Sequence, residues 1–265
     1  MNLPGLRGSV LCALALGWLG GARGADEPAN GQAVSVAAAA NLVYALEALN
    51  AQFAASHPQV KLTSARGASG NLVAQIRNGA PYDVFLSADR TFAERLVSDG
   101  MAQAASLRVF AIGRLALWTV KAGVDIGSLE RVVRDPAVHR IAIANPDSAP
   151  YGLAARQALE KQGLWEAVQP KLVRGENISQ TAEFVQTGNA EAGFVAMSLL
   201  LVPGVKDRGR WLEIPADLYT PLEQEAVLTN RGADNPAARE YIEFLGTAPA
   251  RSILESFGYR LPRRP

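Results

Sequence analysis

Four loops of this 265-residue chain carry residues suited to holding a small anion through neutral donors. The most informative stretch runs from Arg66 to Asp89 (RGASGNLVAQIRNGAPYDVFLSAD). Gly67 and Gly70 flank Ala68 and Ser69, and a glycine without a Cβ lets a ligand come close to the backbone. Leu72, Val73 and Ile76 follow at helical spacing, which places Ser69 at a helix N-terminus. Unpaired N–H groups and the helix dipole favour an anion there. Asn41 follows Ala37 to Ala40 and precedes a second helical pattern, where it is either a ligand donor or a plain N-cap. Tyr151 lies between Pro150 and Gly152 at a third helix start; its phenol either faces a cleft or packs on a neighbour. Asn177 and Ile178 open a fourth helix. An isoleucine has no polar side chain, so any contribution from Ile178 is its backbone N–H.

Short apolar runs alternate with amphipathic ones and must position these loops. Strands are expected near 34–38, 60–64, 83–86, 107–112, 115–120, 141–144, 168–173 and 192–195, with helices at 42–53, 91–98, 153–162 and 179–187. Apolar strands separated by helices of this length indicate parallel sheets covered on both faces. The design occurs twice: VSVAAAANLVYAL matches RIAIANPDSAPYGLAARQAL, and GASGNLVAQI matches GENISQTAEFV. The expected fold class is therefore α/β, with two doubly wound lobes and a ligand cleft between them. Ligands of such sheets sit at the carboxyl ends of strands, against helix N-termini. Residues 33–111 with 222–265 are assigned to the first lobe and 112–221 to the second, with crossings near 111–114 and 220–225.

Composition narrows the function. Arg7 precedes an apolar run, Val10 to Leu19, too short to span a bilayer, and Ala22-Arg23-Gly24 has the small-x-small form of a cleavage site. Residues 1–24 read as a secretory signal peptide, with the single cysteine, Cys12, inside it. The mature chain then has no thiol chemistry and no disulfide. Without Arg7 and Arg23, Lys plus Arg falls from 26 to 24 against 25 acidic residues. That balance, with no basic tract, argues against nucleic acid.

Enzyme and metal readings find little support. Asn71 stands where a G-x-S-x-G nucleophile elbow needs its second glycine. The two histidines, His57 and His139, read as structural, which weakens an exported serine hydrolase. They are 82 positions apart and form no metal-ligand cluster. Asp83, Asp89 and Asp147 each sit where a loop or cap explains them, and Arg66 and Arg174 read as solvated charges beside two of the loops. No cofactor is expected.

Ala38-Ala39-Ala40-Asn41-Leu42, Gly67-Ala68-Ser69-Gly70-Asn71-Leu72, Pro81 to Asp89 and Pro150-Tyr151-Gly152, in that order, closely resemble the molybdate-binding proteins of ABC importers. Phe244-Leu245 and Phe257-Gly258-Tyr259 fit the same pattern, so the resemblance spans about Val34 to Leu261. It implies the type II periplasmic binding-protein fold: a monomeric, exported receptor that carries molybdate or tungstate to membrane permease subunits. It also implies ligand contacts at Ala40, Asn41, Ser69, Tyr151 and Ile178, the metal being held only as its oxyanion. Many relatives carry a tyrosine where Ala196 stands here, whereas others use an asparagine in the first loop, as Asn41 would. Another tetrahedral oxyanion such as sulfate is the alternative ligand. Molybdate is a full dianion at neutral pH and needs donors only; phosphate retains a proton that calls for an acceptor, and sulfate is smaller.

Overall fold

The computed structural model describes residues 33–263. The signal-peptide assignment and the last two residues lie outside that range.

In chain order the elements are β1 (Ala33–Ala39), α1 (Val43–Ser56), β2 (Lys61–Gly67), α2 (Ser69–Arg77), β3 (Val84–Ser87), α3 (Arg90–Ser98), β4 (Arg108–Gly113) and β5 (Leu115–Thr119). There follow α4 (Leu129–Arg134), β6 (Ile141–Ala144), α5 (Pro150–Lys161), α6 (Trp165–Val168), β7 (Leu172–Gly175), α7 (Ile178–Gln186), β8 (Ala192–Ala196) and α8 (Met197–Leu200). The chain closes with β9 (Arg210–Glu213), β10 (Leu222–Leu228), α9 (Pro236–Phe244) and α10 (Ala248–Ser256).

These strands form two five-stranded sheets, ordered β2-β1-β3-β10-β4 and β7-β6-β8-β5-β9. Each has three parallel strands at one side, as the repeated motifs predict. The sheets are mixed rather than wholly parallel, because β10 runs antiparallel to β3 and β4, and β5 antiparallel to β8 and β9. The reason lies in the crossings. The chain passes between the sheets at Arg114 and again between β9 and β10, so β5 and β10 enter from the cleft. The parallel strands end there, and an entering strand must run the opposite way.

Both sheets are covered on two faces, and the pleat decides which residue serves which side. Val34, Val36 and Ala38 of β1 join a cluster with Leu46, Leu49 and Phe53 of α1, whereas Ala37 joins Leu72, Ile76 and Phe85 on the opposite face. In the second lobe Ile141 and Ile143 pack with Leu115 and Leu117, while Ala142 packs with Trp118 and Val185. Burying side chains such as Phe53 or Leu49 stabilises by about 1.5–3 kcal/mol each.

The strand expected at 168–173 begins only at Leu172, because Val168 ends α6 and Gln169-Pro170-Lys171 forms a 3-10 turn. Pro170, the second residue of that turn, has a fixed φ and supplies no ladder donor. The short strand β9, Arg-Trp-Leu-Glu, is half polar and pairs only at a sheet edge, so its sequence gives almost no alternation signal.

Strand register brings the functional loops together. β1 and β2 pair in parallel from Ala33 opposite Lys61 to Ala39 opposite Gly67, so the Asn41 and Ser69 loops leave the sheet side by side. In the second lobe Ala144 lies opposite Gly175, and Asn145 N–H donates to the Gly175 carbonyl at 2.8 Å. That pairing sets the Tyr151 and Ile178 loops next to each other.

Candidate functional site

Ala40, Asn41, Ser69, Tyr151 and Ile178 all line one cavity between the lobes, together with Ala39, Gly67, Ala68, Ala88, Ala149 and Pro150. It is small, with about 200 Å³ of space between its lining atoms. That suits one compact ion and no extended organic ligand. Not one lining residue is Asp, Glu, Lys, Arg or His. Any charge held there must be met by dipoles and hydrogen-bond donors.

Three helix starts supply those donors. Ser69 is the first residue of α2 and is fully buried. Its Oγ accepts from the Ala88 N–H at 3.0 Å, which leaves the hydroxyl proton free to be donated. In α7, Asn177 is the N-cap and its side chain takes the Ser179 and Gln180 N–H groups at 3.0 and 3.1 Å. The first amide of the helix, that of Ile178, has no intrahelical acceptor and is left over. In α5 Pro150 occupies the first position and has no N–H, so Tyr151 offers the leading amide. Each amide stands at the positive end of its helix dipole.

Asn41 differs from the sequence expectation. Its Nδ2 donates to Gln224 Oε1 and to Tyr259 Oη, both at 2.8 Å, which uses both amide protons. The orientation is fixed from behind: Gln224 Nε2 donates to the Ala88 and Leu222 carbonyls, so Gln224 must present Oε1 to Asn41. The Asn41 side chain therefore has no donor left for a ligand, and its Oδ1 is buried without a partner.

The Tyr151 phenol is packed into the fold, and its buried Oη has no hydrogen-bond partner among the described residues. It is buried against the end of β4, where a Cβ on Gly113 would lie 2.2 Å from Oη. Burial holds its pKa well above the usual tyrosine value, so it stays neutral. Gln224 and Tyr259 support the first loop through contacts that nothing in the sequence marks. They lie 183 and 218 positions from Asn41, a separation with no local signature.

The histidines, and the charged residues beside the loops, lie outside the cavity. His57 stacks on Phe53 with ring centroids 4.0 Å apart, and the His139 N–H donates to Glu191. Arg66 pairs with Glu47 at 3.2 Å on the surface, and Arg174 is exposed. Asp89 is the N-cap of α3, accepting from the Phe92 N–H, and Asp83 accepts from the Ser35 N–H. Asp147 is exposed. Among the described residues no group of three or more His, Cys, Asp or Glu could hold a metal ion, and no helix is long and apolar enough to cross a membrane.

Beside Gln224, at a bulge in β10, Glu225 is buried with Oε2 unpartnered. Burial raises its pKa from 4.5 to about 7, helped by Glu94, Glu223 and Asp89 and opposed by Arg90, whose Nε is 3.9 Å from Oε1. The folded state therefore favours the protonated carboxyl, and its stabilising contribution is lost as pH rises through about 7. Glu225→Gln should match the parent protein in a melt at pH 4 and exceed it at pH 8 by about 2 kcal/mol, a figure discounted for Arg90 and solvent screening.

Two similar α/β lobes around a small, charge-free cavity lined at helix starts give the architecture of a solute-binding receptor. The chain belongs to the family of bacterial extracellular solute-binding proteins, whose profile matches residues 34–260. It is 41% identical over 228 residues to the molybdate-binding protein ModA of Azotobacter vinelandii, covering 86% of this chain and 90% of that protein. It is 40% identical over 233 residues to ModA of Rhodobacter capsulatus, covering 88% and 90%. The solved structure of the Azotobacter vinelandii periplasmic molybdate-binding protein superimposes with a TM-score of 0.82 at 35% identity, over 87% of this chain and 100% of that one.

Proposed function

We propose that this protein captures molybdate, and tungstate with it, and delivers the oxyanion to the membrane permease of an ABC importer. The observation that carries this reading is the convergence of the free Ser69 hydroxyl proton with the leading amides of α5 and α7 on one cavity without acids or bases. A fully deprotonated tetrahedral dianion accepts in every direction and donates in none. Neutral, pre-aimed dipoles meet it without a counter-charge. Ser69 gives its hydroxyl; Asn41, Tyr151 and Ile178 give main-chain N–H groups, with Ala40 forming the wall beside them.

Residues 33–111 with 222–265 form one jaw and 112–221 the other, and the ligand draws them closed. The protein acts as an exported monomer in the periplasm, with residues 1–24 as its leader. It catalyses no reaction, needs no cofactor and binds no nucleic acid. A serine hydrolase is disfavoured because no base lines the cavity that contains Ser69.

Ligand-free protein mixed with excess molybdate, then passed through a desalting column, should retain one molybdenum per chain by elemental analysis. Loss of all molybdenum on the column, with the protein folded, would refute the assignment.

A further inference from the structure

Two serine hydroxyls of the second lobe reach across to consecutive carbonyls of the first. Ser179 Oγ donates to the Ala40 oxygen at 2.9 Å, and Ser198 Oγ donates to the Asn41 oxygen at 2.8 Å. Neither serine lines the cavity. A third link, from Gly70 N–H to the Ser148 oxygen at 2.9 Å, joins the lobes at the Ser69 loop.

We propose that Ser179 and Ser198 are positioning residues that latch the closed form and set how long the oxyanion is held. This inference rests on the reading of the cavity as an oxyanion site that closes on its ligand. The Ser179 amide is already capped by Asn177, so its hydroxyl is free for the other lobe. Ser198 stands in the first turn of α8, and the carbonyl that it meets also accepts from Tyr259 Oη at 2.9 Å. Removing the Ser198 hydroxyl therefore leaves the Asn41 oxygen paired within its own lobe. Each serine bond also keeps an acceptor oxygen of the first loop on a protein donor and off the anion. In the open form these groups meet water, so the bonds count only once the lobes have closed. Their loss should speed release and leave capture unchanged.

The test is release of radiolabelled molybdate from the full chain into excess unlabelled molybdate, with the binding constant measured by titration and the melting temperature measured without ligand. Ser179→Ala and Ser198→Ala should each release roughly three- to tenfold faster, with the double variant faster still. The association rate should stay within about twofold and the ligand-free melting temperature within about 1 °C. Release at the parent rate would overturn the latch. So would a fall in ligand-free stability that accounts for the lost affinity, since that marks a merely structural role. A parent protein that retains no molybdate would overturn the oxyanion reading itself, and the latch with it.

Discussion

Gly152→Ala should lower the melting temperature and weaken oxyanion capture together. An added Cβ at this position would sit 2.2 Å from the Ala144 carbonyl oxygen and 2.7 Å from its carbon, both rigid backbone atoms at the end of β6. Neither can move aside as a flexible side chain would, so α5 must shift away from the sheet. Overpacking of this kind costs about 1–3 kcal/mol, and backbone against backbone belongs at the upper end. The better helix propensity of alanine returns about 1 kcal/mol at most. For a protein of this size a net loss of about 2 kcal/mol lowers the melting temperature by roughly 4–8 °C. Because α5 also carries the Tyr151 amide into the cavity, affinity should fall by at least about tenfold. Calorimetric melting and titration on one preparation read both effects. A variant with parent-like melting and affinity would show that the helix start has more freedom than the structure gives it.

Ser69→Ala should reduce oxyanion affinity by about 1.5–3 kcal/mol, the range for a hydrogen bond to a charged group, or roughly ten- to a hundredfold. The same change removes the acceptor of the buried Ala88 N–H, so the ligand-free protein should also lose about 1–3 kcal/mol of stability. Ile178→Val supplies the contrast. Its amide remains at the start of α7, and only a methylene of a buried side chain is lost. Affinity should stay within about twofold while stability falls by about 0.5–1.5 kcal/mol. Equal losses of affinity in the two variants would mean that the cavity is not the binding site.

Much of this arrangement was legible in the sequence, and the parts that were not share a physical cause. The strand at Ile141–Ala144 and the helix starts at Ser69, Pro150 and Ile178 are local patterns of apolar spacing, glycine and proline. These patterns place the Ser69, Tyr151 and Ile178 loops on helix N-termini, and the repeated motifs anticipate two sheets with the same strand plan. Sequence reasoning could not see that Gln224, held by the Ala88 and Leu222 carbonyls, turns its acceptor toward Asn41 and consumes that side chain's donors. Nor could it see Ser179 and Ser198 meeting the first loop from the other lobe. Such contacts follow from closing two distant parts of the chain on each other, and no residue spacing announces them. The antiparallel course of β5 and β10 was hidden for a related reason: direction depends on where the chain crosses, not on the composition of the strand.

The central claim is that this cavity holds a tetrahedral dianion and takes molybdate in preference to sulfate, and selectivity tests it most directly. Ligand-free protein should be titrated calorimetrically with molybdate, tungstate, sulfate and phosphate at one pH and one salt concentration. Molybdate and tungstate, nearly equal in size and charge, should bind within about tenfold of each other, a difference near 1.4 kcal/mol. Sulfate is the smaller ion and should leave some donors unpaired, each at a cost of about 1–3 kcal/mol. It should bind at least about a hundredfold more weakly than molybdate. Phosphate, which brings a proton to a cavity built of donors, should also bind far more weakly than molybdate. Sulfate or phosphate binding as tightly as molybdate would leave the two-lobed receptor standing and contradict the account of its ligand.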